Sequence, residues 1–464
     1  MVFSDIPFLF YFLPCFLGVY FLSPKKLRNF VLLVFSLIFY AWGEPVYISL
    51  LLLSSVVDFV NGLAMEHFEG KRAKQRIFLC ISVFVNLSLI GVFKYSGLIV
   101  ESLNTVFGLS ISAPAVELPL GISFFTFQTM SYSIDVYRKD IKTEHNFLNY
   151  MTYVCMFPQL VAGPIVRYSD ISKELTQRKV TSDGFVDGCI RFLVGLFKKV
   201  LIANQIGSLW DYVNALEERS SALAWLGLVA FSLQIYFDFS GYSDMAIGMG
   251  RMLGFSYPEN FNYPYICNSI SDFWRRWHMS LSVWFRDYVY IPLGGNRKGK
   301  ARQIINIIIV WSLTGFWHGA SWNFLIWGMY FGFILAFEKL TNFPKMLPKA
   351  FQHVYSLFIV LIGWMIFAVE DVGGIKTYAL QLFGAEGFVS PQFFYQLNNY
   401  LLILIAGVLL STPIAAYAKK YVQKNKYVSC AVSFGACICG VLLIIASLAM
   451  LIADSYNPFL YFRF

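Results

Sequence analysis

The sequence predicts an all-α, polytopic membrane protein with about ten to twelve transmembrane helices and some re-entrant or interfacial ones. Of its 464 residues, 58% are hydrophobic and only 14% are charged, whereas soluble domains carry about 25% charge. Apolar stretches of about 20 residues, the length that crosses a bilayer, recur along the whole chain. We therefore expect a single membrane-embedded domain over residues 1–464.

Basic clusters between the apolar segments predict their orientation. Lysines and arginines concentrate at 24–28 and 70–76, and cytoplasmic loops are enriched in both, so the N-terminus is expected outside the cytoplasm. The lysines of 419–426 place the C-terminal tail, residues 454–464, on the same outer side. The net charge of +9 lies mostly in such loops, which favours a membrane face over a nucleic-acid partner. The first apolar segments are 6–22, 29–42, 46–64 and 77–93.

Two later apolar stretches contain helix-breaking residues. Pro119 and Gly121 interrupt the first, and Pro158 and Pro164 interrupt the second. Irregular backbone at membrane depth is tolerated only inside protein or along a cavity. We interpret both stretches as kinked or re-entrant pieces that line an interior space, with ordinary helix kinks as the alternative.

The segment 222–240 runs into two acidic residues, Asp238 and Asp244, which are costly in a membrane. They either pair with an arginine such as Arg251, which we favour, or bind substrate. Residues 241–244 are not a nucleophile elbow, because the closing glycine is absent. The remaining apolar segments are 185–203, 304–317, 322–337, 354–369, 399–415 and 428–453.

Residues 271–323 form the expected catalytic stretch. They hold two of the five histidines, His278 and His318, each among tryptophans. Histidine is costly in hydrocarbon and exchanges protons near neutral pH, so its presence there indicates function. The alternative is that both histidines are structural.

A helix that begins near residue 271, with Ser271 or Asp272 as its N-cap, is predicted to be amphipathic. At 100° per residue its two faces separate cleanly. The apolar face carries Trp274, Trp277, His278, Leu281, Trp284, Phe285 and Tyr288, and the polar face carries Arg275, Arg276, Met279, Ser280, Arg286 and Asp287. Such a helix can lie in the membrane interface with its basic side towards phosphates.

The apolar stretch 304–337 is too long for one span and too short for two ordinary ones. Gly315, Gly319, Ser321 and Asn323 interrupt its middle. We therefore predict two half-helices that meet at depth, with a helix N-terminus beside His318. Such a terminus favours a neutral imidazole and attracts developing negative charge, as a general base beside an oxyanion requires. A histidine that only caps the break is the alternative.

The loop at 294–300 is turn-forming and basic, with Arg297 and Lys298 at its centre. It lacks the P-loop spacing, and can bind either the phosphates of a donor or lipid head groups. No spacing of His, Cys, Asp and Glu predicts a metal site, and no dinucleotide fingerprint is present. The eight cysteines have no disulfide framework, so we expect free thiols and no permanently bound cofactor.

Six motifs together resemble the membrane-bound O-acyltransferase family, in particular its bacterial branch that O-acetylates alginate, cellulose and peptidoglycan. They follow the family's order and cover nearly the whole chain. The motifs are PLGISFFTFQ at 119–128, FPQLVAGP at 157–164, DFSGYSD at 238–244, FWRRWH at 273–278, YIPLGGNR at 290–297 and WHGASW at 317–322.

The resemblance implies a helical bundle that encloses a tunnel or funnel, with His318 as the catalytic histidine and His278 at the second catalytic position. It implies that an acetyl group passes from cytoplasmic acetyl-CoA outward, and that an SGNH-type partner then places it on a polysaccharide. The enzyme would lie in the bacterial cytoplasmic membrane. Acyl transfer from a thioester needs a base that accepts the proton of the attacking hydroxyl, and hydrogen-bond donors that stabilise the oxyanion. The expected donor-binding residues are Arg275, Arg276, Arg297 and Lys298, and the expected positioning residues are Trp317, Trp274, Trp277 and Asn323.

The aromatic tail resembles the C-terminal motif of a small peptide in teichoic-acid D-alanylation systems. In that motif a tyrosine accepts the acyl group, and the resemblance gives this role of acyl relay to Tyr461. A phenol with pKa about 10 is easier to deprotonate than a sugar hydroxyl. An interfacial aromatic anchor is the alternative role for the tail.

Two other functions remain open from the sequence. One is D-alanyl transfer from a carrier protein to teichoic acid, which is the same chemistry with another donor. The other is a polysaccharide or lipid transporter without acyl chemistry, in which the histidines relay protons. Labelled thioester separates them, because only an acyltransferase consumes it.

Overall fold

The computed structural model describes residues 2–114, 116–161, 163–422, 426–453 and 459–460, and every regular element in these ranges is helical. The chain forms two compact units. The first unit comprises Met1–Phe192 and Ser243–Glu259, and the second unit comprises Leu193–Tyr242 and Asn260–Phe464.

The helices vary from single turns to more than 30 residues. From the N-terminus they are α1 Leu13–Leu22, α2 Arg28–Gly43, α3 Ile48–His67, α4 Arg72–Phe107, α5 Ile122–Arg138, α6 Phe147–Cys155, α7 Phe157–Leu160, α8 Tyr168–Gln177, α9 Ser182–Phe197, α10 Asn204–Ala215 and α11 Ser221–Leu253. They continue with α12 Ile270–Trp274, α13 Met279–Phe285, α14 Lys300–His318, α15 Trp322–Thr341, α16 Phe343–Met346, α17 Lys349–Ala368, α18 Val372–Leu382, α19 Pro391–Leu410, α20 Ile414–Val422 and α21 Lys426–Ala453.

Eight helices in the described part of the chain are long and apolar enough to cross a membrane, namely α2, α3, α4, α11, α15, α17, α19 and α21. The predicted class, an all-helical multi-pass membrane protein, is confirmed. Two helices extend beyond their predicted ends, α4 to Phe107 and α11 to Leu253. In α11 most of the added residues are buried, and the buried carboxylate among them, Asp244, has a cationic partner inside the protein.

Both stretches that contain helix-breaking residues lie in the first unit, and their backbone structures differ. Helix α5 is continuous after Gly121, which has φ 74°, so no kink is present there, and the re-entrant alternative stays a prediction. A Cβ at Gly121 would lie 2.8 Å from the carbonyl oxygen of Leu160, so glycine permits a close backbone contact. The second stretch is a true break, because α6 ends at Cys155 and α7, which begins at Phe157, is only one turn long.

A polar network joins α3, α4 and α5 inside the first unit. The Asp58 carboxylate, which is fully buried, accepts hydrogen bonds from Ser82 Oγ, from Ser133 Oγ at 2.8 Å and from Asn86 Nδ2 at 2.6 Å. Asn86 Oδ1 in turn accepts from Ser54 Oγ at 2.8 Å. We call these residues the Asp58 network. It connects three helices through satisfied polar groups, which is what burial of a carboxylate requires.

Both acidic residues of α11 have cationic partners, as favoured from the sequence, but not the expected one. Asp244 pairs with Arg191 at 2.6 Å in the first unit, while Arg251 lies 3.4 Å from Glu259. Arg251 is therefore not the partner of Asp244. The sequence could not show this, because Arg191 is on a different helix, 53 residues away.

Helices α14 and α15 are 19 and 20 residues long and form a hairpin in the second unit. The prediction of two half-helices is therefore wrong. Their backbones touch at two glycines, since a Cβ at Gly315 would lie 2.3 Å from Phe324 O and one at Gly328 would lie 2.3 Å from Trp311 O. The glycines are thus sites of close helix packing, and only residues 319–321 form the turn.

Candidate active site

His278 lies at a break between two short helices of the second unit. The predicted continuous helix is wrong, because α12 ends at Trp274 and α13 begins at Met279. His278 has φ 44° and ψ 55°, a left-handed conformation that is uncommon outside glycine and often marks functional sites. The N-cap of α12 is Ser269, whose hydroxyl accepts from Asp272 N, instead of Ser271 or Asp272.

Burial along this stretch nevertheless follows the predicted faces. Every residue assigned to the apolar face is buried, and Arg275 and Arg286 on the other face are exposed. The polar residue Ser280 is the exception, since it is buried and bonded to Asn260. The amphipathic pattern therefore predicts burial correctly even though the backbone is not one helix.

Glu338 of α15 holds the start of α12. Its carboxylate accepts from Ile270 N at 2.8 Å, from Ser271 N at 3.0 Å and from Ser271 Oγ at 2.8 Å. A buried carboxylate at a helix N-terminus satisfies free N–H groups and complements the helix dipole. Glu338 thereby fixes α12, which carries Trp274.

The tautomer of His278 follows from its hydrogen bond to Asn260. His278 Nδ1 lies 3.0 Å from Asn260 Oδ1, and the same oxygen also accepts from Ser280 N at 3.3 Å. A backbone donor fixes that atom as the amide oxygen, so His278 carries its proton on Nδ1. The buried Nε2 has no hydrogen-bond partner in the described residues and presents a lone pair. Burial lowers the pKa of His278 to about 3, so the ring is neutral at physiological pH.

His318 is the last residue of α14 and is surrounded by aromatic rings. Its ring centroid lies 5.0 Å from those of Trp317 and Trp327 and 5.3 Å from that of Phe367. Trp317 also contacts His278, at 5.8 Å between centroids. The imidazole is 6% exposed and its position is fixed by packing on several sides.

A cavity of about 260 Å³ brings the two histidines together. Arg275 and Arg286 are exposed residues on its wall, so the cavity opens at a basic edge. The inner wall is largely aromatic. It is lined by Ser271, Trp274, Arg275, Trp277, His278, Leu281, Ser282, Phe285, Arg286, Tyr290, Val310, Trp311, Thr314, His318 and Leu335. We call it the larger cavity.

A second, smaller cavity of about 20 Å³ adjoins the same residues. All of its lining residues are buried. They are Ile235, Asp238, Phe239, Trp277, His318, Trp327, Trp364, Phe367, Phe459 and Leu460. His318 and Trp277 line both cavities, so they lie at the boundary between an open basic cavity and a closed aromatic one.

Two residues of the C-terminal tail reach the smaller cavity. Phe459 packs on Tyr242 with 4.7 Å between ring centroids, and Leu460 N donates to Asp238 Oδ2 at 2.7 Å. Asp238 is paired with Lys199 at 2.6 Å. Tyr461, the predicted acyl relay, lies outside the described residues.

Several predicted site residues are not on the wall of either cavity. Arg276 pairs with Asp272 at 3.0 Å, and Arg297 and Lys298 are exposed on the loop. Asn323 donates through Nδ2 to the carbonyls of residues 366 and 367, which joins α15 to α17. This geometry gives Asn323 a bridging contact and does not favour it as an oxyanion donor.

Three residues that order the site were missed from the sequence. Asn260 orients His278, Glu338 holds α12, and Lys199 pairs with Asp238. A charged residue inside an apolar segment is a recognisable signal, so Lys199 in segment 185–203 could have been found, whereas Glu338 directly follows segment 322–337. Asn260 lies in a loop and no local pattern marks it.

The arrangement suits proton transfer in a mostly apolar site. Among the described residues no group of three or more His, Cys, Asp or Glu could hold a metal ion. Each cysteine whose side chain the structure describes is free. The chemical group at the boundary of the cavities is the imidazole of His318, and imidazole is the side chain that most often serves as a general acid or base.

Comparison with known proteins agrees with the family that the motifs indicate. The profile of the membrane-bound O-acyltransferase family matches residues 120–368, which include both histidines. A probable alginate O-acetylase of Azotobacter vinelandii is 39% identical over the full length of both chains. A peptidoglycan O-acetyltransferase of Helicobacter pylori is 30% identical, over all of this chain and 98% of its own.

A more distant relative covers only part of the chain. The teichoic acid D-alanyltransferase of Bacillus subtilis is 30% identical over 50% of this chain and 62% of its own. The full-length matches to O-acetylating enzymes and the family profile confirm the resemblance inferred from the six motifs. This chain therefore belongs to the membrane-bound O-acyltransferase family.

Proposed function

We propose that the protein transfers an acetyl group from cytoplasmic acetyl-CoA across the membrane for O-acetylation of an extracytoplasmic polysaccharide. The observation that carries the proposal is that His318 lines both an open basic cavity and a closed aromatic one. A base at such a boundary can act between a donor on one side and an acceptor on the other. Relatives along the full length are named for O-acetylation of alginate and of peptidoglycan.

The larger cavity supplies the donor site in this proposal. Exposed Arg275 and Arg286 lie on the side from which the phosphates of coenzyme A enter in this proposal, and guanidinium groups bind phosphate well. Arg286 also bonds Asp287 at 2.7 Å. Aromatic side chains such as Trp274 and Trp311 then line the path of the thioester arm. This placement puts the basic groups at the mouth and the apolar groups inside, in the order that an acyl-CoA requires.

The size of the smaller cavity supports acetyl as the acyl group. Its volume of about 20 Å³ holds about one water-sized group. The methyl of an acetyl group is of that size. Closed aromatic walls also keep water away from the thioester carbonyl.

The proposed chemistry needs one proton acceptor. An acceptor hydroxyl attacks the thioester carbonyl while His318 takes its proton. A C–O bond forms, the C–S bond breaks, and the imidazolium returns the proton to the departing thiolate. In the tautomer inferred from its bond to Asn260, His278 presents a lone pair to this site, so we assign it to accepting or orienting a donor group and not to the oxyanion.

We also propose that Tyr461 is the first acceptor, before an SGNH-type partner takes the acetyl group outside. Leu460, the residue before it, lines the smaller cavity together with His318. An acyl-phenol ester is reactive, which suits a relay to a second enzyme. The partner and the position of the tail outside the bacterial cytoplasmic membrane are parts of the proposal.

His318→Ala tests the chemistry. We expect acetyl transfer from radiolabelled acetyl-CoA to fall about 10²–10⁴-fold, the usual contribution of a general base, with little change in yield. His353→Ala is the matched control, since His353 bonds to a backbone carbonyl at 3.0 Å and lines neither cavity. Wild-type turnover in His318→Ala would remove His318 from the mechanism.

Tyr461→Phe tests the relay. The substitution keeps the aromatic ring and removes the oxygen, so polymer acetylation should be lost. Mass spectrometry of the C-terminal peptide should find an acetyl adduct on wild type incubated with acetyl-CoA and none on the variant. Normal polymer acetylation by the variant would leave the tail as an anchor.

D-alanyl transfer remains the second candidate, since two relatives have that name. Parallel assays with acetyl-CoA and with a D-alanyl carrier protein distinguish the two donors. The transporter alternative is disfavoured, because the family to which the chain belongs consists of acyltransferases.

A further inference from the structure

A buried ion pair in the second unit contacts the C-terminal tail. Lys199 Nζ lies 2.6 Å from Asp238 Oδ1, and the two side chains are 6% and 3% exposed. Asp238 Oδ2 accepts the backbone N–H of Leu460, 222 residues further along the chain. A buried ion pair is often no more stable than apolar residues of the same volume. Its presence therefore indicates a role besides stability.

The local backbone brings the two charges together. Residues Lys198–Ala203 form a π-helix, an irregularity common at functional sites. Gly241, one turn after Asp238 on α11, lies against this segment. A Cβ at Gly241 would be 2.8 Å from Gly195 O and 3.2 Å from Lys199 N, so glycine permits the approach.

The tail is bound by main chain as well as by packing. The Phe459 ring lies 4.7 Å from that of Tyr242 and 5.9 Å from that of Phe239, centroid to centroid. The bond to Leu460 N uses a charged acceptor and a backbone donor, which is among the stronger hydrogen bonds. It fixes the backbone of the residue that immediately precedes Tyr461.

We propose that Lys199 and Asp238 form a clamp that positions the tail for acyl transfer. Asp238 binds the main chain at Leu460, and Lys199 holds the carboxylate in the orientation that this requires. The inference rests on the proposed relay, since Tyr461 is the acceptor that the clamp would place near His318. Both residues act through the tail, so they are positioning residues.

The experiment removes both charges at once, with Lys199→Met and Asp238→Leu in one full-length protein. A single substitution would leave an unpaired buried charge, whereas the double variant is expected to fold with near wild-type stability. Hydrogen exchange of the C-terminal peptide should become about tenfold faster or more, because the Leu460 amide loses its acceptor. Acetylation of that peptide should fall about tenfold to a hundredfold, while the KM for acetyl-CoA is unchanged.

The matched control is Arg191→Met with Asp244→Leu. That pair is also 2.6 Å apart and also uses an acidic residue of α11, but its contacts lie in the first unit. We expect wild-type exchange and acetylation of the tail in the control. Wild-type tail exchange in the Lys199 and Asp238 double variant would overturn the clamp. If the wild-type tail carries no acetyl group, the relay fails, and the exchange measurement still decides whether the clamp binds the tail.

Discussion

Two regions of this protein bury polar side chains, and they do so in opposite ways. In the Asp58 network of the first unit, the carboxylate receives hydrogen bonds from Ser82, Asn86 and Ser133, and none of these residues lines the larger or the smaller cavity. In the second unit, His278 has one nitrogen bonded to Asn260 and the other buried without a partner in the described residues, on the wall of a cavity.

The difference shows that burial alone does not identify a site. A satisfied polar network joins helices and contributes stability, because an unmade buried hydrogen bond costs about 1–3 kcal/mol. A buried nitrogen that keeps its lone pair beside a cavity is available to a ligand. On this basis we expect the Asp58 network to affect folding and the histidines to affect chemistry.

Asp58→Ala should give the largest loss of stability. It leaves the donors of Ser82, Ser133 and Asn86 without their acceptor, and we expect about 3 kcal/mol of destabilisation. Turnover per folded molecule should stay within about twofold of wild type, because no cavity residue changes. Thermal unfolding in detergent and the active fraction measure the two quantities. A variant that is stable but inactive would place Asp58 in the mechanism.

The pH dependence of the free energy of unfolding should show that His278 is buried as a neutral ring. Burial lowers its pKa from the usual 6.5 to about 3, so between these values the unfolded chain binds a proton that the folded chain excludes. The free energy of unfolding is therefore unaffected by this group above pH 6.5. It falls as the pH is lowered, by about 2 kcal/mol at pH 5. His278→Gln should lack this component. Identical acid profiles for the two proteins would show that His278 is not buried as a neutral ring.

Arg275 and Arg286 should give the smallest effect. Alanine at both positions should raise the KM for acetyl-CoA about threefold to tenfold, and added salt should reduce the difference because the contacts are exposed. Arg297→Ala is the control, since Arg297 is exposed but lines neither cavity. An equal effect of the control would mean that general surface charge attracts the donor.

The sequence predicted the helical membrane class, the buried aromatic face of residues 274–288 and the two histidines. These follow from composition, periodicity and residue chemistry, which are local properties. It did not predict the break at His278, because left-handed backbone angles at one residue do not change the spacing of the hydrophobic residues around it. The full-length hairpin of α14 and α15 was missed because Gly315 was interpreted as a helix breaker, whereas it allows close packing.

The sequence also could not predict which residues distant along the chain form ion pairs or hydrogen bonds. Arg191 for Asp244, Lys199 for Asp238 and Asn260 for His278 are each brought into contact by tertiary structure. Pairing of acidic residues with some cation could be expected from the cost of burial, but not which cation. A single sequence contains no information on which distant side chains meet.

The most direct measurement compares His318→Ala with Asp58→Ala in the same preparation, recording both the unfolding temperature and acetyl transfer per folded molecule. We expect opposite effects from the two substitutions. His318→Ala should unfold near the wild-type temperature and lose transfer about 10²–10⁴-fold, while Asp58→Ala should unfold several degrees lower and keep its transfer rate. Wild-type transfer in His318→Ala, or loss of transfer in folded Asp58→Ala, would contradict the assignment of chemistry to the two cavities.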